Sequence, residues 1–341
     1  MKKKLLSIAL IGIMTLSLAA CGSSDDSADS STADGELKTV TLMLDYTPNT
    51  NHTGFYVAQD LGYYEEAGLN VEIVEPGDNA TTSMVATGNA DFGVSYQEDV
   101  TYALTAEEAL PIKTIATIIQ HNTSGFVSLA DAGIESPADF EGKTYAGWGA
   151  PSEEAVIEAV MKKAGADFSK LTIVGADGSG FASLSAEEGG NNVNIQWEFY
   201  GWAVTQGLMD GYDLNYIACS DLDERLDYYT PVIITNNDLI ESDPDTIQAF
   251  MDATKKGYEY AIENPEESAE ILQKTALPDT DIEFLTESQK YLSEQYSLDS
   301  DVWGMMKDSV WDNYTDFMYE YGLIDHTIEA ADQYTNQFVE E

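Results

Sequence analysis

Four aromatic side chains surround one carboxylate in the run Trp197-Glu198-Phe199-Tyr200-Gly201-Trp202. Residues of these types can clasp a flat ring: aromatic faces stack on it, and a carboxylate accepts hydrogen bonds from donors on its edge. The run reads as a strand-to-helix turn. The plainer alternative is a solvent-facing Glu198 beside core aromatics. A second polar run, Asp45-Tyr46-Thr47-Pro48-Asn49-Thr50-Asn51-His52, follows the apolar Val40–Leu44. Tyr46 thus falls at the carboxyl end of a strand, where open α/β sheets place ligands. Asn49, Asn51 and His52 lead into a helix N-terminus, whose free N–H groups favour anions or polar ligand oxygens. His52 reads equally as a ligand contact or a structural residue, and Asp45 as a residue that orients the loop. Gln97 and Glu98 again follow a strand and open a helix, either lining a cleft or simply stabilising that helix. Trp148 stands between a strand and a helix and reads as a stacking wall. Tyr228 and Tyr229 precede another strand, where they either close over a ligand or pack a hinge.

The elements that must hold these residues follow from patterning. Strands are expected at Val40–Leu44, Val71–Val74, Asp91–Ser95 and Ile112–Ile119, separated by helices at His52–Leu61, Ala80–Thr87 and Gln97–Glu108. The alternation restarts after Gly125, with strands at Phe126–Leu129, Lys143–Ala146, Leu171–Val174, Asn194–Trp197 and Asn215–Ala218, and a helix at Ser152–Ala164. After a strand at Pro231–Thr235 the sequence turns helical: Pro244–Glu263, Pro265–Thr275, Ile282–Leu292 and Trp303–Tyr321. Trp303 and Trp311 read as core positions of that last amphipathic helix. Alternating strands and helices predict an α/β fold with mostly parallel sheets covered by helices. Sheet units first and helices last predict two lobes: 38–128 as lobe I, 129–230 as lobe II, and 231–341 returning to lobe I. Two crossings, near Val127–Leu129 and Thr230–Val232, make a hinge with the ligand site in the cleft.

Composition removes whole classes. With 61 acidic and 15 basic residues the net charge is −46, so phosphate backbones and anionic lipid surfaces are repelled and nucleic-acid binding is excluded. Two cysteines make no disulfide scaffold or four-cysteine zinc site, and three scattered histidines make no metal-ligand pair. Cys219 reads as a small core residue. The glycine-rich Gly175–Gly180 matches neither a dinucleotide fingerprint nor a P-loop. At the start, the lysines at 2–4 precede an apolar stretch, Leu5–Ala20, too short to span a bilayer. Leu18-Ala19-Ala20-Cys21 looks like a bacterial lipobox, implying a signal peptide at 1–20, a lipidated Cys21 and a polar tether through 37. Losing three lysines with that peptide takes the charge from −46 to −49.

The Asp45–Gly54 run, with Gly62-Tyr63-Tyr64-Glu65-Glu66-Ala67-Gly68-Leu69, resembles the binding proteins for thiamine pyrimidine precursors, a family related to the fungal pyrimidine synthases. The resemblance continues through Val94–Glu98, Ile119–Gly125, Phe140–Gly149, Trp197–Trp202 and Leu226–Thr235, covering roughly residues 38–335. It implies a type II periplasmic-binding-protein fold and an extracytoplasmic, lipid-anchored, monomeric component of an ABC importer. The implied partners are a small pyrimidine, a permease and its ATPase; no cofactor is implied. It also implies ligand contacts from Tyr46, Asn49, Asn51, His52, Gln97, Glu98, Trp148, Trp197, Glu198, Tyr200, Trp202, Tyr228 and Tyr229. Glu198 would pair with the amine and ring nitrogen, a charge-assisted contact once the ring is protonated. Gly178–Val193 departs from the family pattern, and Asn194-Ile195-Gln196 replaces its usual acidic approach to the tryptophan. Two other readings stand beside this one: a binding protein for a sulfonate, riboflavin-like or other aromatic solute, and a synthase-like enzyme that consumes its own histidine and a cofactor. Export and the absence of a cysteine cluster weigh against the enzyme.

Overall fold

The computed structural model describes residues 37–184 and 193–340. The chain opens with β1 (Lys38–Met43), α1 (Thr53–Asp60), α2 (Tyr63–Glu66), β2 (Leu69–Val74), α3 (Thr81–Ala86), β3 (Phe92–Ser95), α4 (Gln97–Thr105) and β4 (Ile112–Thr117). There follow β5 (Ser124–Leu129), β6 (Thr144–Gly147), α5 (Pro151–Lys163), β7 (Thr172–Gly175), β8 (Ile195–Phe199), α6 (Thr205–Met209), β9 (Leu214–Ala218) and α7 (Cys219–Leu222). The remainder is β10 (Val232–Asn236), α8 (Asn237–Ser242), α9 (Pro244–Glu263), α10 (Pro265–Thr275), α11 (Ile282–Gln295), α12 (Asp308–Glu320) and α13 (Ala330–Gln333). None of the described helices is long and apolar enough to cross a membrane.

Two five-stranded sheets run in the orders β2-β1-β3-β10-β4 and β7-β6-β8-β5-β9. Each has four strands in one direction and one reversed: β10 is antiparallel to β3 and β4, and β5 to β8 and β9. The reversal follows from the connections. Strands sharing a direction end at the cleft, so a segment arriving from the other lobe enters at that end and must run away from it. β5 and β10 are those arriving strands. Because β5 pairs within the second sheet from Ser124, the first crossing lies at 118–123, upstream of the expected 127–129. The polar run Gln120-His121-Asn122-Thr123-Ser124 marks the break between the two strands, and the expectation falls late because it places the crossing inside the apolar strand that follows. The second crossing falls between β9 and β10, within 219–231.

The first sheet is buried by α1 and α9. Phe250 of α9 stacks on Phe92 of β3 with centroids 3.8 Å apart and on Tyr64 at 5.6 Å. The α1–α9 crossing is close enough that a Cβ on Gly257 would lie 2.1 Å from the Gly54 carbonyl oxygen and a Cβ on Gly54 would lie 2.3 Å from the Tyr258 ring, so both positions are held to glycine. The second sheet packs Phe126, Tyr145 and Trp197 against α5. The last long helix departs from expectation. α12 starts at Asp308, and Trp303 lies in the preceding turn, stacked on Tyr258 at 4.4 Å. Nor does α12 return only to the first lobe: Trp311 packs with Val232 and Ile234, while Tyr314, Phe317 and Met318 join the core of the second. It is a rod laid across the hinge.

The crossings are stitched together. The Asn122 N–H and Nδ2–H donate to Asp227 Oδ1 and to the Leu226 carbonyl, at 2.9 and 2.8 Å. His121 Nδ1 lies 2.7 Å from Asp227 Oδ2, and that carboxylate raises the imidazole pKa. Gln97 and Tyr229 exchange hydrogen bonds: Gln97 N–H donates to the Tyr229 carbonyl at 3.0 Å, and Tyr229 N–H to Gln97 Oε1 at 2.9 Å.

Candidate ligand-binding cleft

The loop after β1 is shaped by its own side chains. Asn49 caps the turn Thr50–His52, its side chain accepting from Asn51 N–H at 2.9 Å. His52 Nδ1 accepts the Asn49 N–H at 3.2 Å, so the ring proton is on Nε2, which meets Asp45 Oδ1 at 2.6 Å. Tyr96 O–H donates to Asp45 Oδ2 at 2.5 Å. Burial pushes the Asp45 carboxyl up, but these donors outweigh it and hold the group below its ordinary value. With Asp45 fastened, Tyr46 is left two-thirds exposed, at 67%, on the cleft wall.

Opposite stand Trp148 at the end of β6, 62% exposed, and the β8 residues Trp197, Glu198 and Phe199. Trp148 and Trp197 meet at 5.4 Å. Tyr228 adds a third wall and is itself backed by Tyr314, stacked at 4.0 Å. The space between is about 610 Å³, within the usual range for small-molecule sites. An adjoining cavity of about 220 Å³ is lined by Asn49, Asn51 and Trp202 and shares Tyr46, Tyr96, Phe199 and Thr230 with it.

Among the described residues, four acidic residues line these cavities, Asp45, Glu98, Asp99 and Glu198, and no lysine, arginine or histidine does. Glu98 Oε2 accepts from Tyr314 O–H at 2.6 Å, and burial raises its pKa nevertheless. Asp99 is pushed up to about 6 by burial and then by the charges of Glu98 and Asp45. Glu198 is pushed up to about 7 by burial alone, and among the described residues its carboxyl has no hydrogen-bond partner. A carboxyl in this state is half protonated near neutrality and offers a donor and an acceptor side by side.

Nine of the expected site residues therefore line the cleft: Tyr46, Asn49, Asn51, Glu98, Trp148, Trp197, Glu198, Trp202 and Tyr228. Four do not. His52 is wholly buried and holds Asp45. Gln97 is wholly buried and fastens the hinge, donating also to the Val310 carbonyl at 3.1 Å. Tyr229 is buried, its hydroxyl accepting the Lys307 N–H at 2.9 Å. Tyr200 turns away from the cavities to pack on Tyr216 and Tyr291 at 5.1 and 4.7 Å. The reason is local: β8 passes into a π-helical turn, Tyr200–Val204, which rotates Tyr200 off the strand face that displays Glu198. Tyr96, Asp99 and Phe199 line the cleft without having been singled out. Their signal was adjacency: each neighbours a chosen residue at the cleft-facing end of a strand. Cys21 lies outside the described residues, as does 185–192 of the divergent stretch.

A family model described as NMT1/THI5 like matches residues 49–268. The chain belongs to the NMT1/THI5-like family. The formylaminopyrimidine-binding protein of Halalkalibacterium halodurans is 30% identical to this chain over 79% of it and 78% of its own length. A 4-amino-5-hydroxymethyl-2-methylpyrimidine phosphate synthase of Legionella pneumophila is 25% identical over 68% of this chain and 72% of its own. Among solved structures, the periplasmic aliphatic sulphonate binding protein of Escherichia coli superposes with a TM-score of 0.65 at 14% identity, over 87% of this chain and 91% of that one. This family member therefore has the two-lobed periplasmic-binding-protein fold, as the family resemblance implies, and the alternation of strands and helices is that of its two α/β lobes.

Proposed function

We propose that the protein is the solute-binding component of an ABC importer and captures a thiamine pyrimidine precursor, hydroxymethyl- or formylamino-pyrimidine, between its lobes. The observation that carries this reading is Glu198, an unpartnered carboxyl raised to about 7 between two aromatic neighbours on the cleft wall. A 4-aminopyrimidine presents an amine donor beside a ring-nitrogen acceptor. A protonated carboxyl matches both, and one proton bridges the pair whichever atom carries it. Tyr46 and Trp148 supply faces for stacking, and contacts from both lobes favour the closed arrangement of the hinge. Lipid on Cys21 would hold the protein at the outer face of the membrane, where the permease reads the closed form.

The same lining argues against the other readings. A sulfonate would meet four acidic residues and no cation. Synthase chemistry drawing on a histidine would need one in the cleft, whereas His52 is sealed with both ring nitrogens engaged. Titration calorimetry against both pyrimidines, riboflavin and methanesulfonate tests the reading. Binding of a pyrimidine alone is expected; binding of methanesulfonate or riboflavin without a pyrimidine overturns it.

A further inference from the structure

The turn from β6 into α5 carries Trp148, and its backbone N–H groups converge on a side chain of the same chain. Glu153, 2% exposed, reaches back across the turn. Its Oε1 accepts from the Tyr145 hydroxyl at 2.5 Å and from the Trp148 N–H at 3.1 Å. Its Oε2 accepts from the N–H groups of Gly149 at 2.5 Å and Ala150 at 2.9 Å. The cradle is cut to admit this group: a Cβ on Gly147 would fall 1.9 Å from Glu153 Oε1, and Gly149 takes φ +83°. Trp148, Ala150 and Ser152 of this same turn line the cleft.

Converging N–H groups at the start of a helix are what a bound anion uses. Here the anion is covalently part of the protein. We propose that Glu153 is a built-in anion that fills the second lobe's N–H cradle, so that Trp148 is fixed as a cleft wall and anionic solutes find no free amides there. This rests on reading the cleft as the solute site. Glu153 is a positioning residue: it sets specificity by occupying donors and by holding the tryptophan, without reaching the solute.

The test uses the full chain with Glu153→Ala and formate as the probe, against sodium chloride at equal ionic strength. Formate is expected to raise the melting temperature of the variant and restore its tryptophan emission, while leaving wild type unmoved. Affinity for hydroxymethylpyrimidine should fall by about tenfold or more in the variant and recover with formate. A variant indifferent to formate beyond the chloride control, or one that keeps wild-type emission and affinity without it, overturns the proposal. If Glu153→Ala fails to fold in both salts, Glu153→Gln decides. Its single amide oxygen can serve only one of the two donor pairs, so altered tryptophan emission and weaker pyrimidine binding are expected, and wild-type values for both overturn the proposal. The formate arm needs no pyrimidine, so its outcome is separate from the identity of the solute.

Discussion

Glu198→Gln should make the empty protein more stable in mild alkali and leave it little changed in acid. Folding moves the Glu198 carboxyl from its ordinary 4.5 to about 7, through burial among aromatic neighbours. Between those values the folded chain holds a proton that the unfolded chain has released, so acid favours the folded state. The stability this group contributes is fully present below about pH 4.5 and is lost as the pH rises through about 7. At roughly 1.4 kcal/mol per unit, the shift corresponds to about 3 kcal/mol, which residual access to cleft water reduces to about 2–3 kcal/mol. Glutamine keeps the shape and does not ionise. In urea unfolding of ligand-free protein followed by tryptophan fluorescence, the variant should exceed wild type by about 2–3 kcal/mol at pH 8, with the gap closing towards pH 4.5. Asp99, raised to about 6, bends both curves in the same direction and cancels in their difference. Parallel curves for the two proteins would show that Glu198 ionises freely in the fold and would remove the basis for its donor–acceptor role.

The ligand arm of the same substitution has its own signature. Wild-type affinity for a neutral aminopyrimidine should fall about tenfold per pH unit above 7, because the site must first recover its proton, whereas the glutamine variant should stay flat; calorimetry showing a flat wild type refutes this. Ala at Tyr46 or at Trp148 should cost about 1–3 kcal/mol of binding by lost stacking, with little change in melting temperature, since both are largely exposed; unchanged affinity in both removes them from the site. Asp45→Asn should cost about 1–3 kcal/mol of stability at pH 7, because the wild-type carboxyl, held below its ordinary value by His52 and Tyr96, contributes stability above about 3.8 and loses it as the pH falls; a variant as stable as wild type at pH 7, by urea unfolding, contradicts that role. Cys21→Ser should shift the protein from the membrane fraction to the soluble one, and retention at the membrane would refute lipid anchoring.

Two kinds of information in the chain behaved differently. Which ends of which strands face the cleft was readable, because apolar strands ending in polar or aromatic runs put Tyr46 and Glu98 on one rim and Trp148 and Glu198 on the facing one. Whether a given side chain on that rim turns into the cleft or into the protein was not, because it depends on partners far away in sequence. Gln97 and Glu98 are adjacent on the first turn of α4, yet one faces Tyr229 and Val310 across the hinge and the other faces the cavity. Nothing local separates them; the phase of the helix against α12 does. His52 shows the same logic from the other side. A histidine in a polar loop resembles a ligand contact until its two nitrogens are traced to Asn49 and Asp45. Its work is then visible one residue away, in the exposed Tyr46 that a fastened Asp45 leaves on the wall. The arrangement of Trp148 over Glu153 repeats the pattern in the second lobe. In both lobes a buried carboxylate spends its oxygens on the loop that holds an aromatic ring, and the rings are thereby set before a ligand arrives, which lowers the ordering cost of binding.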